Sequence, residues 1–148
     1  MHRPGGQPTY TRRMPLDEAK LAAVFRAHPD VRAVYLFGSH AEGRARAESD
    51  IDLGVVTSNV GERLGALKLD LLTDLAAAGF DNVDLVMLER AGYFVCFQAV
   101  RMNQPIYVAD EFDHGSYFSL TLRMYWDFKK HLDWQRQAYK EKFLHAES

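Results

Sequence analysis

The chain has one cysteine, Cys96, among 148 residues, so no disulfide can close within it. Flanked by Phe94, Val95 and Phe97, that thiol reads as buried and inert rather than catalytic. The six histidines are scattered, with no second His or Cys at zinc spacing, which argues against zinc. Positive charge is not in excess either: 18 Lys and Arg stand against 20 Asp and Glu, a net charge of -2. A general grip on nucleic acid draws on a basic surface, so stable nucleic-acid binding is not expected. No apolar run approaches the roughly 20 residues that span a bilayer. The opening MHRPGGQPTYTRR lacks the apolar core of a secretion signal. Repeats and low-complexity segments are missing too. These absences lead to the expectation of a cytoplasmic protein of about one domain's length.

What the chain does have is concentrated in residues 34–56, VYLFGSHAEGRARAESDIDLGVV. An apolar run ends in Gly38 and Ser39; ten residues later come Asp50, Ile51 and Asp52, and a second apolar run follows. The first run is short, β-branched and aromatic, as a buried strand requires. Gly38 permits a sharp exit from it, and Ser39 stands where a helix can begin, with free backbone N–H groups for phosphate oxygens. If Ile51 opens a strand, Asp50 and Asp52 project from one face while Ile51 points into the core. Adjacent carboxylates repel unless a cation neutralises them, and magnesium held by carboxylates and substrate phosphates is a common solution. The pattern points to nucleotidyl or phosphoryl transfer.

Gly-Ser, ten residues, then Asp-x-Asp resembles the signature of the DNA polymerase beta-like nucleotidyltransferase superfamily. The small size resembles its minimal nucleotidyltransferase (MNT) branch, the antitoxin half of HEPN/MNT toxin–antitoxin pairs. The likeness covers roughly residues 31–108. It implies an α/β nucleotidyltransferase fold with a small mixed sheet, and Mg2+ (two ions) with ATP as substrate. By the same resemblance Asp50 and Asp52 are metal ligands, and a third acid on a neighbouring strand assists. Asp84 fits that role, since alternation in Asn82-Val83-Asp84-Leu85 sets it opposite the apolar positions; Asp81, at the preceding turn, is its rival. Gly38 and Ser39 are the expected phosphate contacts, although Ser39 could instead cap a helix. Many relatives carry arginine directly after Gly-Ser or two residues later, where this chain has His40 and Glu42. Arg44 or Arg46 is the candidate replacement in nucleotide binding, with Arg44 taken first, unless both are solvated loop residues.

Along the chain, residues 1–14 lack periodicity and read as a mobile tail, 15–110 as the nucleotidyltransferase domain, and 111–148 as a C-terminal helical extension. Within the domain we expect a helix over 15–27 with Pro15 and Asp17 in its first turn, a strand over 31–37 and a short helix over 39–42. A strand over 51–57, a helix over 61–78 ended by Gly79, a strand over 83–88 and a helix over 93–102 follow. Residues 105–108 read as an edge strand, because Pro105 donates no ladder hydrogen bond. Tyr93, Phe94 and Phe97 read as core.

The resemblance to MNT proteins further implies a protein acceptor: a tyrosine hydroxyl of a partner HEPN ribonuclease toxin, silenced by AMP. Aromatics after residue 112, among them Tyr117, Tyr125, Trp126, Trp134 and Tyr139, either anchor such a partner or cover the chain's own sheet. Two alternatives stay open: an antitoxin that blocks by binding alone, and a small-molecule nucleotidyltransferase of the aminoglycoside-modifying kind.

Overall fold

The computed structural model describes residues 15–147; the segment expected to be a tail lies outside them. Helix α1 spans Glu18–Arg26. It starts later than expected because the Asp17 carboxylate accepts from the Lys20 amide at 3.0 Å and so takes the N-cap, leaving Pro15 ahead of the helix. Leu21, Ala22 and Phe25 form its buried face.

Strand β1 (Val31–Phe37) leads into α2, a single turn at Gly38–Ala41. Strand β2 (Ile51–Thr57) runs antiparallel to β1. A 3-10 turn at Gly61–Arg63 opens α3 (Leu64–Ala77), which buries Leu64, Leu67, Leu71 and Leu75. Strand β3 (Val83–Met87) runs parallel to β2. A second 3-10 turn, Leu88–Arg90, precedes α4 (Tyr93–Val100). Strand β4 (Pro105–Val108) pairs antiparallel with β1, and α5 fills His114–Glu147. The strand order β3-β2-β1-β4 makes a mixed sheet, with β4 at an edge as its proline demands.

Alternation divides the central strands between two layers. Val34, Leu36, Ile51, Leu53, Val55 and Leu85 point towards α1 and α3 in one apolar cluster. Ala33 and Tyr35 point the other way, with Leu88, Ala99 and Val100. The second layer requires close approach at Gly54: a Cβ there would lie 2.9 Å from the Ala99 Cβ of α4.

Helix α5 is fastened at its start. Asp113 accepts from the Ser116 amide at 3.0 Å, and the fully buried Tyr35 reaches His114 Nδ1 at 2.8 Å. His114 Nε2 lies 2.8 Å from Asn103 Oδ1. A carbonyl oxygen only accepts, so Nε2 donates to Asn103, and in the neutral ring Nδ1 is then the acceptor for the Tyr35 hydroxyl. Tyr117 stacks on Tyr35, and Tyr125 stacks on Phe97 at 4.2 Å. Tyr93 and Phe94, read as core from the sequence, are instead 45% and 53% exposed. They sit on the outer side of α4, where they meet Phe128 and Tyr125 of α5 rather than the sheet.

Candidate active site

The parallel register of β2 and β3 sets Asp52 directly beside Asp84. Neighbouring strands lie about 4.8 Å apart, so the two carboxylates share one face and one level. Asp50 is one residue ahead of β2 and two before Asp52, which returns it to that face. It is the face that carries Tyr35, Gly54 and Val86 further along, beneath α4 and the start of α5. Helices cover its middle and leave the carboxylate end open: Asp50 and Asp84 are exposed, Asp52 half-buried. Asp81 lies in the connection before β3, off this strand face.

Partial burial raises the Asp52 pKa above the usual carboxylate range, and the charges of Asp84 and Asp50 raise it further. His40 pulls weakly in the other direction. The ionised trio is therefore under mutual repulsion, which a cation would relieve. The donor set suits a hard divalent ion. Among the described residues no group of three or more His, Cys, Asp or Glu side chains can hold a metal unaided. Magnesium bound by one or two carboxylates and completed by substrate phosphates matches that open arrangement.

Gly38 faces Asp52. Its φ is +72°, and a Cβ there would fall on the Asp52 carboxylate, within 3.0 Å of Cγ and closer still to Oδ2. Glycine is thus required twice, for backbone conformation and for space. Ser39 does not cap α2, whose N-cap is Phe37 without a side-chain bond. Its hydroxyl has no partner among the described residues, so it remains available to a ligand. Arg44 is engaged by its neighbour: Nε and Nη2 both donate to Glu42 Oε1, at 3.0 and 2.8 Å. Arg46 bonds through its amide to Ser49 Oγ at 2.8 Å, and its guanidinium is unpaired among the described residues.

Two supporting residues escaped the sequence reading. Asn82 donates through Nδ2 to the Ser49 carbonyl at 2.8 Å, and its own carbonyl accepts from the Ile51 amide at 2.9 Å. Asp50 lies between those anchor points, so Asn82 fixes its backbone. Gln104 donates to the Ala41 carbonyl at 2.8 Å while its carbonyl accepts from Leu36, tying the end of α2 to β1. The adjacency of Asn82 to the Val-Asp strand was a usable signal; nothing marked Gln104. Cys96 is half-buried against the carbonyls of Leu88 and Ala91, and burial pushes its thiol pKa up, which keeps it unreactive.

The model of the polymerase beta nucleotidyltransferase family matches residues 19–112, more than half of the chain. The chain belongs to that family. Among relatives of this nucleotidyltransferase, the protein adenylyltransferase MntA of Shewanella oneidensis is 31% identical over 124 residues, which are 83% of this chain and 84% of that one. A crystal structure of a toxin–antitoxin with AMP-PNP superimposes with a TM-score of 0.65 at 29% identity, covering 87% of this chain and 99% of its own. A tri-AMPylated Shewanella oneidensis HEPN toxin in complex with its MNT antitoxin matches with a TM-score of 0.58 at 27% identity, over 86% and 95% of the two chains. No helix among the described residues is long and apolar enough to cross a membrane.

Proposed function

We propose that this nucleotidyltransferase moves AMP from Mg-ATP onto a tyrosine hydroxyl of a partner HEPN ribonuclease toxin. It would thereby act as the antitoxin of a type VII-like pair in the cytoplasm. The observation that carries the reading is the register placing Asp52 beside Asp84, with the Gly38 turn against the same carboxylate. Likeness to an adenylyltransferase and to HEPN-bound antitoxins supports the choice of nucleotide and acceptor.

Asp50, Asp52 and Asp84 would hold magnesium, which would supply charge neutralisation at the phosphates and make the hydroxyl more acidic. Asp84, exposed where its β2 neighbour Asp52 is half-buried, receives the tyrosine proton. The tyrosine oxygen then bonds to the α-phosphorus in line, as the bond from that phosphorus to the pyrophosphate oxygen breaks. The Ser39 hydroxyl and the backbone amides of the Gly38 turn orient the departing phosphates. Arg44 joins them when it leaves Glu42; Arg46, its guanidinium unpaired among the described residues, is the alternative.

Incubation with α-labelled ATP, magnesium and the HEPN protein encoded beside the chain tests this. Label should pass to the HEPN protein and fall by about 10²- to 10⁴-fold in Asp84→Asn, the range of a lost general base. A tight complex that never acquires label would overturn the transferase reading in favour of blocking by binding.

A further inference from the structure

Helix α5 is 34 residues long, about 50 Å at 1.5 Å per residue, and only its first half rests on the rest of the fold. One stripe along it buries Thr121, stacks Tyr125 on Phe97 and sets Phe128 against Tyr93. At helical spacing the same stripe runs on through Leu132, Tyr139 and Phe143. There it covers nothing: Tyr139 is 61% and Phe143 54% exposed. A run of large apolar side chains on a projecting helix marks an interaction surface.

The charges beside the stripe select the occupant. Arg136 and Lys140 line it together with those apolar residues, and no carboxylate does. Neither cation has an ion-pair partner among the described residues, whereas Lys129 nearby is paired with Asp133. A second copy docking on this face would bring like charges together, because a two-fold contact pairs a patch with itself. An apolar surface rimmed by carboxylates complements it instead. The family match stops at residue 112, before α5 begins. The toxin–antitoxin structure with AMP-PNP spans 87% of the chain, an extent that must include part of this helix. At least the inner part of α5 is therefore shared with a chain of a toxin–antitoxin assembly. The base of α5 also lies on the sheet face that bears the carboxylates.

We infer that the outer half of α5 docks the acceptor protein itself, through Leu132, Tyr139 and Phe143 and the cations Arg136 and Lys140. This rests on the proposed function and adds to it the surface that holds the acceptor while its hydroxyl reaches Asp84. The tests are Tyr139→Glu with Phe143→Glu, and separately Arg136→Glu with Lys140→Glu, titrated against the HEPN protein by calorimetry. Both pairs of sites are exposed, so melting temperature and helix content should stay at the wild-type level. Affinity should fall at least about 100-fold for the aromatic pair, the scale of hot-spot removal. The charge pair should weaken binding and flatten its salt dependence. Unchanged affinity in both variants, or a wild-type chain that does not bind the HEPN protein, would overturn the inference. So would light scattering that shows a dimer dissolved by Tyr139→Glu. A wild-type chain that binds through this face without transferring AMP would instead defeat the transferase reading and leave the docking surface standing.

Discussion

Asp52 is the residue where burial, charge and function meet. Its raised pKa comes from partial burial and from Asp84 and Asp50 beside it. A carboxyl whose folded pKa exceeds its unfolded value binds more protons in the native state. Its contribution to stability is therefore greatest at low pH and declines as pH rises through the interval between the two values. Asp52→Asn removes that repulsion, so without metal or nucleotide it should melt higher than wild type at neutral pH while transfer is lost. Thermal melts with and without Mg-ATP check this, and a lower melting temperature would contradict it. Asp50→Asn should lower the Asp52 pKa in the metal-free chain, as an NMR titration of the Asp52 carboxyl carbon would reveal. At Gly38, alanine should cost about 1–2 kcal/mol for the left-handed backbone alone. It should also displace the Asp52 carboxylate, abolishing activity. Denaturant titration and a transfer assay measure the two effects. The Asp-x-Asp pair and the Gly-Ser turn were legible because their chemistry is written within twenty residues. The Asn82 tether and the Asp52 pKa were not, since both arise only when β3 comes alongside β2.

At the scale of elements, two contacts hold the site-bearing face to its helical cover. Gly54→Val would push a side chain into Ala99 and Leu88 and lift α4 from β2. A cost of about 1–3 kcal/mol, typical of overpacking, is expected in chemical denaturation. Tyr35→Phe leaves His114 Nδ1 without its donor and should cost about 1 kcal/mol while freeing the start of α5. Faster amide exchange over the first turns of α5 would show it, and unchanged exchange would mean that stacking by Tyr117 suffices. The strands were legible because each is a short apolar run bounded by turn residues. Helix ends were less so: Asp17 caps α1 from outside, and a 3-10 turn precedes α3. The aromatics of α4 carry a core-like pattern, yet what they meet is another helix rather than the sheet, a distinction their spacing does not encode.

On the scale of the whole molecule, the family fold sets the carboxylates and the Gly38 turn at one end of a covered sheet face, and a long helix leads away from it. The family resemblance implied a mixed sheet, the pattern after residue 111 a C-terminal helical segment, and the structure has both. How far that helix would project was not readable, because the stripe that packs and the stripe left free are the same stripe. In the proposed function the carboxylate face transfers AMP to a protein tyrosine. Intact-mass spectrometry of the HEPN protein, after incubation with the chain and Mg-ATP, measures that transfer most directly. The HEPN protein should gain whole adenylyl units, mapped by fragmentation to a tyrosine and missing when Asp50 and Asp52 are both Asn. An unmodified HEPN protein in a stable complex, or modification that persists without those carboxylates, would contradict it.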